Sequence, residues 1–336
     1  MGQPTTSPGS RQNAVTERLL ARLPGPRLTW ILPWAILTAI RPVIFLRILR
    51  VTGHSSVGSE WVLDRLSSHA VYAYMVLLSF WAVRKIGTNA RTLEPALQRL
   101  RRDAPATHNV FAGMSSAVGP IALTAVLTVV LSVNLLRSWE MAAVAILLPL
   151  LALPIFPIMT LFWVYVVVLV GLDRLGRRPM ELGPFPEDTS LGLRPVGALS
   201  FTAFLIFCAA TVPFLLVNLR DRVQLIVGLA FFVAGVVVFF LSMWRLHRQM
   251  VEAKVRHLAW ARGLYGEAFS PIRPQPTLEA LQARAPLLSA AEALEKRAVA
   301  IQEWPFDDRT MGRIVAISTG VVTTLLGRFA LRALGL

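Results

Sequence analysis

Five stretches of the chain carry no charged residue at all: 119–136, 141–171, 197–219, 223–244 and 314–326. One buried helix of a water-soluble protein can absorb such a run, but five cannot share one soluble core. At 1.5 Å rise per residue, about 20 apolar residues cross the roughly 30 Å hydrocarbon layer of a bilayer. The expected fold class is therefore all-α, a polytopic helical transmembrane protein. The last run extends to a final span over 311–331.

Two further stretches complete a count of about seven spans. Residues 67–83 hold the apolar core Val71 to Val83, and residues 28–49 are apolar apart from Arg41 and Arg47. An arginine deep in lipid costs at least ~2.5 kcal/mol, so 28–49 either spans with Arg47 reaching outward or lies partly at the interface. The transmembrane region thus covers 28–244, with spans at 28–49, 67–83, 119–136, 141–171, 197–219 and 223–244. Before it lies a polar, basic tail (1–27), and after it a soluble segment (245–310). A cleaved signal peptide is not expected, because Pro33, Arg41 and Pro42 interrupt the first apolar segment and no small-residue cleavage site follows.

The charge balance tests this topology. The 336 residues are 55% hydrophobic and only 16% charged, below the roughly 25% of soluble chains. The net charge is nevertheless +15. With the N-terminus inside, segments 1–27, 84–118, 172–196 and 245–313 hold 25 Lys and Arg, while the external segments hold 7. The positive-inside rule favours that orientation and places the C-terminus outside. The excess charge then reads as orientation and contact with anionic lipids at the cytoplasmic face, not as a nucleic-acid footprint. Arginine outnumbers lysine 31 to 3, a usage that fits a high-GC bacterial genome and hence a bacterial cytoplasmic membrane.

Residues 141–171 are the most unusual span. A straight helix of that length is about 46 Å, longer than the bilayer core, and it contains Pro149, Pro154 and Pro157. Each proline removes a donor and crowds the carbonyl four residues back. Two readings follow: a kinked or tilted span, or a discontinuous helix whose freed carbonyls line a substrate or ion path. On the second reading Pro149, Pro154, Pro157 and the span residue Asn134 are candidate pathway or hinge positions.

Small residues mark helix-packing seams at Gly228, Gly235 and Ser242, and again at Ala316, Gly320 and Gly327. In 245–310, Val251, Val255 and Leu258 continue a helix out of the sixth span. After a proline-rich break, Leu287, Ala291, Leu294, Ala298 and Ile301 step by four and three, a coiled-coil-like seam. This predicts a cytoplasmic helical hairpin between the last two spans, able to hold a protein partner or a second copy. Two acidic motifs flank spans, one with Glu187 and Asp188, the other with Asp307 and Asp308. Helix capping and a rigid loop are their expected roles, and ion or ligand contact at the cytoplasmic face is the alternative.

Cys208 is the only cysteine, and the five histidines have no carboxylate at ligand spacing, so neither a metal site nor a cofactor is expected. Walker A, dinucleotide, HExxH and GxSxG patterns do not occur. The sequence therefore points to a non-enzymatic, channel-like or regulatory membrane protein, with a secondary transporter using helix 141–171 as the alternative.

Overall fold

The computed structural model describes residues 14–23, 26–51, 60–99, 110–136, 141–178, 180, 182, 188–218, 222–273 and 277–333. Among them the regular elements are helices: α1 (Val15–Arg22), α2 (Leu28–Val51), α3 (Glu60–Arg99), α4 (Val118–Leu136), α5 (Met141–Gly176), α6 (Arg194–Asn218), α7 (Arg222–Phe269), α8 (Leu278–Val299) and α9 (Asp308–Ala333). Six of these (α2, α3, α5, α6, α7 and α9) are long and apolar enough to cross a membrane, and α4 carries a shorter apolar stretch, Val118–Val130. The chain is a helical integral membrane protein.

α5 is the central helix, touching α2, α3, α4, α6 and α7. Its buried residues Leu161, Val164, Val168, Leu172 and Leu175 step by three and four along one face. α7 answers with Phe232, Phe239, Leu246 and Ala253 at seven-residue intervals, and Met243 and Met250 between them, all fully buried. That spacing forms a left-handed packing seam. α2 lies antiparallel to α3, since Trp34 meets Phe80 while Arg41 meets His69.

Several elements differ from the expected ones. α3 continues to Arg99, well beyond residue 83, because Ile86, Ala90, Leu93 and Leu97 keep the same face apolar and buried. α7 is one helix of 48 residues, about 72 Å long against a hydrocarbon layer of roughly 30 Å, and α8 packs against it. Within the supposed polar tail, α1 packs on the bundle and buries Val15, Thr16, Glu17 and Leu20, with Glu17 bridged to Arg27. α2 packs along α3 and α5 over its length, although Pro33 and Pro42 fall inside it.

α5 also remains helical through Pro149, Pro154 and Pro157. Of the two readings, the continuous span is the one this helix fits. Pro157 has no N–H to offer the Leu153 carbonyl, and Trp34 of α2 supplies one, with Nε1 donating at 2.8 Å. Pro213 in α6 leaves the Ala209 carbonyl in the same position, and the Tyr74 hydroxyl of α3 donates to it at 3.2 Å. Both bonds tie a proline-containing helix to a neighbour.

Replacing Trp34 by Phe removes the donor and is expected to destabilise the bundle by about 1 kcal/mol. Pro157→Ala restores a local N–H, so the cost of Trp34→Phe should shrink in that background. Unfolding of the four proteins in detergent measures this cycle, and strictly additive effects would contradict the assignment.

Candidate functional site

A cluster of contacts outside the helical backbone lies at one end of the bundle, where the end of α5, the start of α6, the middle of α7 and the segment before α9 converge. α5 approaches α7 closely at Gly176: a Cβ there would stand 2.8 Å from the Arg245 Cβ and 2.9 Å from the Leu246 nitrogen. Gln249 of α7 donates from Nε2 to the Gly176 and Arg178 carbonyls at 2.7 and 2.8 Å, satisfying groups that a helix end leaves open. Asp173 pairs with Arg177 at 2.8 Å and with Arg245 at 3.4 Å.

The turn entering α6 is built by Asp188. Its carboxylate accepts from the Ser190 nitrogen at 2.9 Å, the Ser190 hydroxyl at 2.5 Å and the Gly192 nitrogen at 2.9 Å. Leu191 takes a left-handed backbone (φ 55) and buries its side chain, and Gly192 follows at φ 84. Partial burial works against ionisation of Asp188, but these hydrogen bonds and nearby Arg194 hold its carboxyl below the ordinary range.

Across this turn runs a strap, residues 301–307, joining α8 to α9. Gln302 N donates to the Thr189 carbonyl at 3.0 Å. Lys254 of α7 pairs with Glu303 at 3.2 Å, and His247 Nδ1 donates to the Glu303 carbonyl at 2.8 Å. Trp304 stacks on His247 with ring centroids 4.3 Å apart, and Phe306 stacks on Phe239 at 6.3 Å. The Pro305 carbonyl presses on α6 so closely that a Cβ on Gly197 would lie 1.9 Å away. The strap ends at Asp307, whose Oδ1 accepts from Thr310 N at 2.8 Å and caps α9. That bond, with the Thr310 hydroxyl, keeps the exposed Asp307 carboxyl below its ordinary range.

The sequence-predicted residues divide accordingly. Asp188 and Asp307 belong to this junction as turn and cap, Asp308 is exposed in the first turn of α9, and Glu187 lies outside the described residues. Asn134 lies within α4, but its side chain is outside the described set. Pro149 is exposed, whereas Pro154 and Pro157 are buried. The α7 seam serves internal packing: Gly228 and Ser242 are buried, and Gly235 lets the Phe207 ring come within 2.2 Å of where a Cβ would stand. The α9 seam does not: Ala316, Gly320 and Gly327 are exposed, and no atom lies within 4 Å of a Cβ on either glycine. An apolar cavity of about 360 Å³ opens between α6 and α9, lined by Leu215, Leu216, Ile317, Gly320, Val321 and Thr324 among others.

In the hairpin, Ala291, Ala298 and Ile301 are buried, Leu294 is half-buried and Leu287 is exposed. Arg262 of α7 clamps Glu295 of α8 at 2.8 Å. Among the described residues no group of three metal-ligating side chains converges.

Two constellations were missed. The first is His247 with Trp304 and Gly197, for which the one signal was an apolar Trp-Pro-Phe inside a polar segment. The second lies within the bundle: Arg41 of α2 contacts His69 of α3 at 3.1 Å and lies 5.5 Å from the centre of the Tyr72 ring. Comparison with family models, curated proteins and solved structures finds no match.

Because the folded pKa of Asp188 is lowered, its stabilisation is full above the ordinary carboxylate value of about 3.9 and is lost as pH falls through the lower folded value. Asp188→Ala should cost roughly 1–2 kcal/mol at pH 7. Denaturation as a function of pH should show the variant and the wild-type protein converging as pH falls below the ordinary carboxylate range.

Proposed function

We propose that this is a non-enzymatic regulatory or channel-like protein of a bacterial cytoplasmic membrane, in which the α7–α8 hairpin is the receiving element and the strap carries its position to the spans. The strap supports this reading most strongly. It ties α8 to α7 through Glu303 and Trp304, to the start of α6 through Pro305, and to α9 through the Asp307 cap. Any displacement of the hairpin along α7 therefore loads two apolar helices at once.

In this reading α4 is the seventh span, the strap end of the bundle is cytoplasmic, and the C-terminus is external. The four segments assigned inside hold 25 of the 34 Lys and Arg, favouring contact with anionic lipids there. A protein partner or a second copy would meet the outer face of the hairpin, where Val255, Trp260, Leu278 and Leu287 are exposed. The open small-residue face of α9 suits a second helix of the same kind. The transporter alternative draws less support, since α5 is continuous and its Leu153 carbonyl already has a donor.

Gly197→Ala is the direct perturbation, because its methyl group and the Pro305 carbonyl need the same space. Limited proteolysis should show faster cleavage at 301–307, with helical content by circular dichroism unchanged. Planar-bilayer recordings should show altered gating relative to the wild-type protein. Saturable solute flux without current would replace the channel-like reading by the transporter. For topology, single cysteines at 56, 105 and 280 in a Cys208→Ala background are expected to react with an impermeant maleimide from outside only at 56. External labelling at 105 or 280 would reverse the orientation.

A further inference from the structure

We propose that Arg41 and His69, with Tyr72 against the guanidinium, form a proton-linked oxyanion site between α2 and α3, suited to a phosphate or carboxylate group. The site is separate from the strap, and the inference does not rest on the regulatory reading. Arg41 lies 13 residues into α2, inside an apolar membrane-spanning stretch. Its contacts are a neutral ring nitrogen and an aromatic face: Nη2 to His69 Nε2 at 3.1 Å, and the Tyr72 ring at 5.5 Å. Among the described residues no carboxylate pairs with it.

The protonation state follows from the bonding. His69 Nδ1 lies 2.9 Å from the Arg65 carbonyl, which can only accept, so Nδ1 carries the proton. Arginine can only donate, so Nε2 presents its lone pair to Arg41. The pair therefore holds one positive charge, with no counter-charge beside it among the described residues. A guanidinium has five N–H donors in a planar fork, and among the described residues one of them meets an acceptor. An arginine in hydrocarbon without a counter-charge is costly, and an oxyanion accepting two parallel bonds offsets that cost.

An anion arriving at Arg41 meets the Nε2 lone pair, which repels it. Protonation turns Nε2 into a second donor, so anion binding draws in a proton. The charged groups near His69 are Arg41 from α2 and Arg65 one turn earlier on its own helix, and a proton on Nε2 adds like charge beside Arg41 until the anion is present. Tyr72 packs edge-on against the ring at 6.0 Å and separates it from Phe214 of α6. The oxyanion source is either a lipid phosphate or a free anion.

The test uses the full chain in phosphate-free maltoside micelles. Sulfate, whose charge does not change between pH 5.5 and 7.5, is titrated by calorimetry, and phosphatidylglycerol retention is measured by native mass spectrometry. Sulfate should bind about tenfold more tightly at pH 5.5, for a coupling of one pKa unit. Arg41→Gln should abolish binding, and Arg41→Lys, which keeps the charge but loses the fork, should weaken it. His69→Gln, which still accepts from Arg41 and never titrates, should bind with no pH dependence. Retention of phosphatidylglycerol that needs Arg41 and yields to sulfate assigns the site to a lipid phosphate. Sulfate binding with lipid retention indifferent to Arg41 assigns it to a free anion. Sulfate and lipid binding both indifferent to Arg41, or pH dependence persisting in His69→Gln, would overturn the proposal.

Discussion

A backbone carbonyl stranded in hydrocarbon has no water to turn to, and proline strands one wherever it interrupts a helix. Among the described helices, prolines fall inside α2, α3, α5, α6 and α8. At two of these positions the donor comes from another helix, Trp34 reaching α5 and Tyr74 reaching α6. The same chemistry recurs at helix ends and loops. Gln249 closes the end of α5, Arg328 donates to the Leu216 carbonyl near the end of α6, and Trp163 of α5 donates to the Gly113 carbonyl. Apolar contact alone does not choose between one helix neighbour and lipid, because lipid tails are equally apolar. Directed donors do choose, and here they set which helices adjoin.

Glycines supply the complementary device, letting backbones approach where a donor must reach. Gly176 brings α5 onto α7 so that Gln249 can reach two carbonyls, and Gly197 gives the strap its seat on α6. At that end the bundle passes from lipid-facing packing to a polar junction of ion pairs and caps. A movement of the α7–α8 pair meets little slack there, because aromatic stacking on His247 and Phe239 and the close seat on Gly197 leave the strap no room to slide. That is the physical content of the regulatory reading.

Much of this was legible in the residues. Uncharged runs marked α4, α5, α6, α7 and α9, and the four-and-three spacing of Ala291, Leu294, Ala298 and Ile301 marked the face α8 turns to α7. Asp307 read correctly as a cap, because capping is a local geometry that a short motif encodes. The extension of α3 to Arg99 was missed because hydropathy averages away a one-sided face, although Ile86, Ala90, Leu93 and Leu97 carry the helical period. The prolines of 141–171 left a kinked span and a break both open, because the compensating Trp34 is 119 residues away from Leu153. Arg41 and His69 were each visible, but their pairing is a tertiary fact. The strap was hidden for the same reason: its partners lie on three helices distant in sequence.

The account stands on interhelical donors holding proline-freed carbonyls, and isotope-edited infrared spectroscopy addresses that bond itself. A ¹³C=¹⁸O label at Leu153, placed in the full chain in bilayers, isolates one carbonyl band. With the indole N–H donating to it, the band should move to higher frequency in Trp34→Phe and stay in place in Tyr74→Phe, which removes the donor to Ala209 instead. A Leu153 band at the same frequency with and without the Trp34 indole would contradict the account.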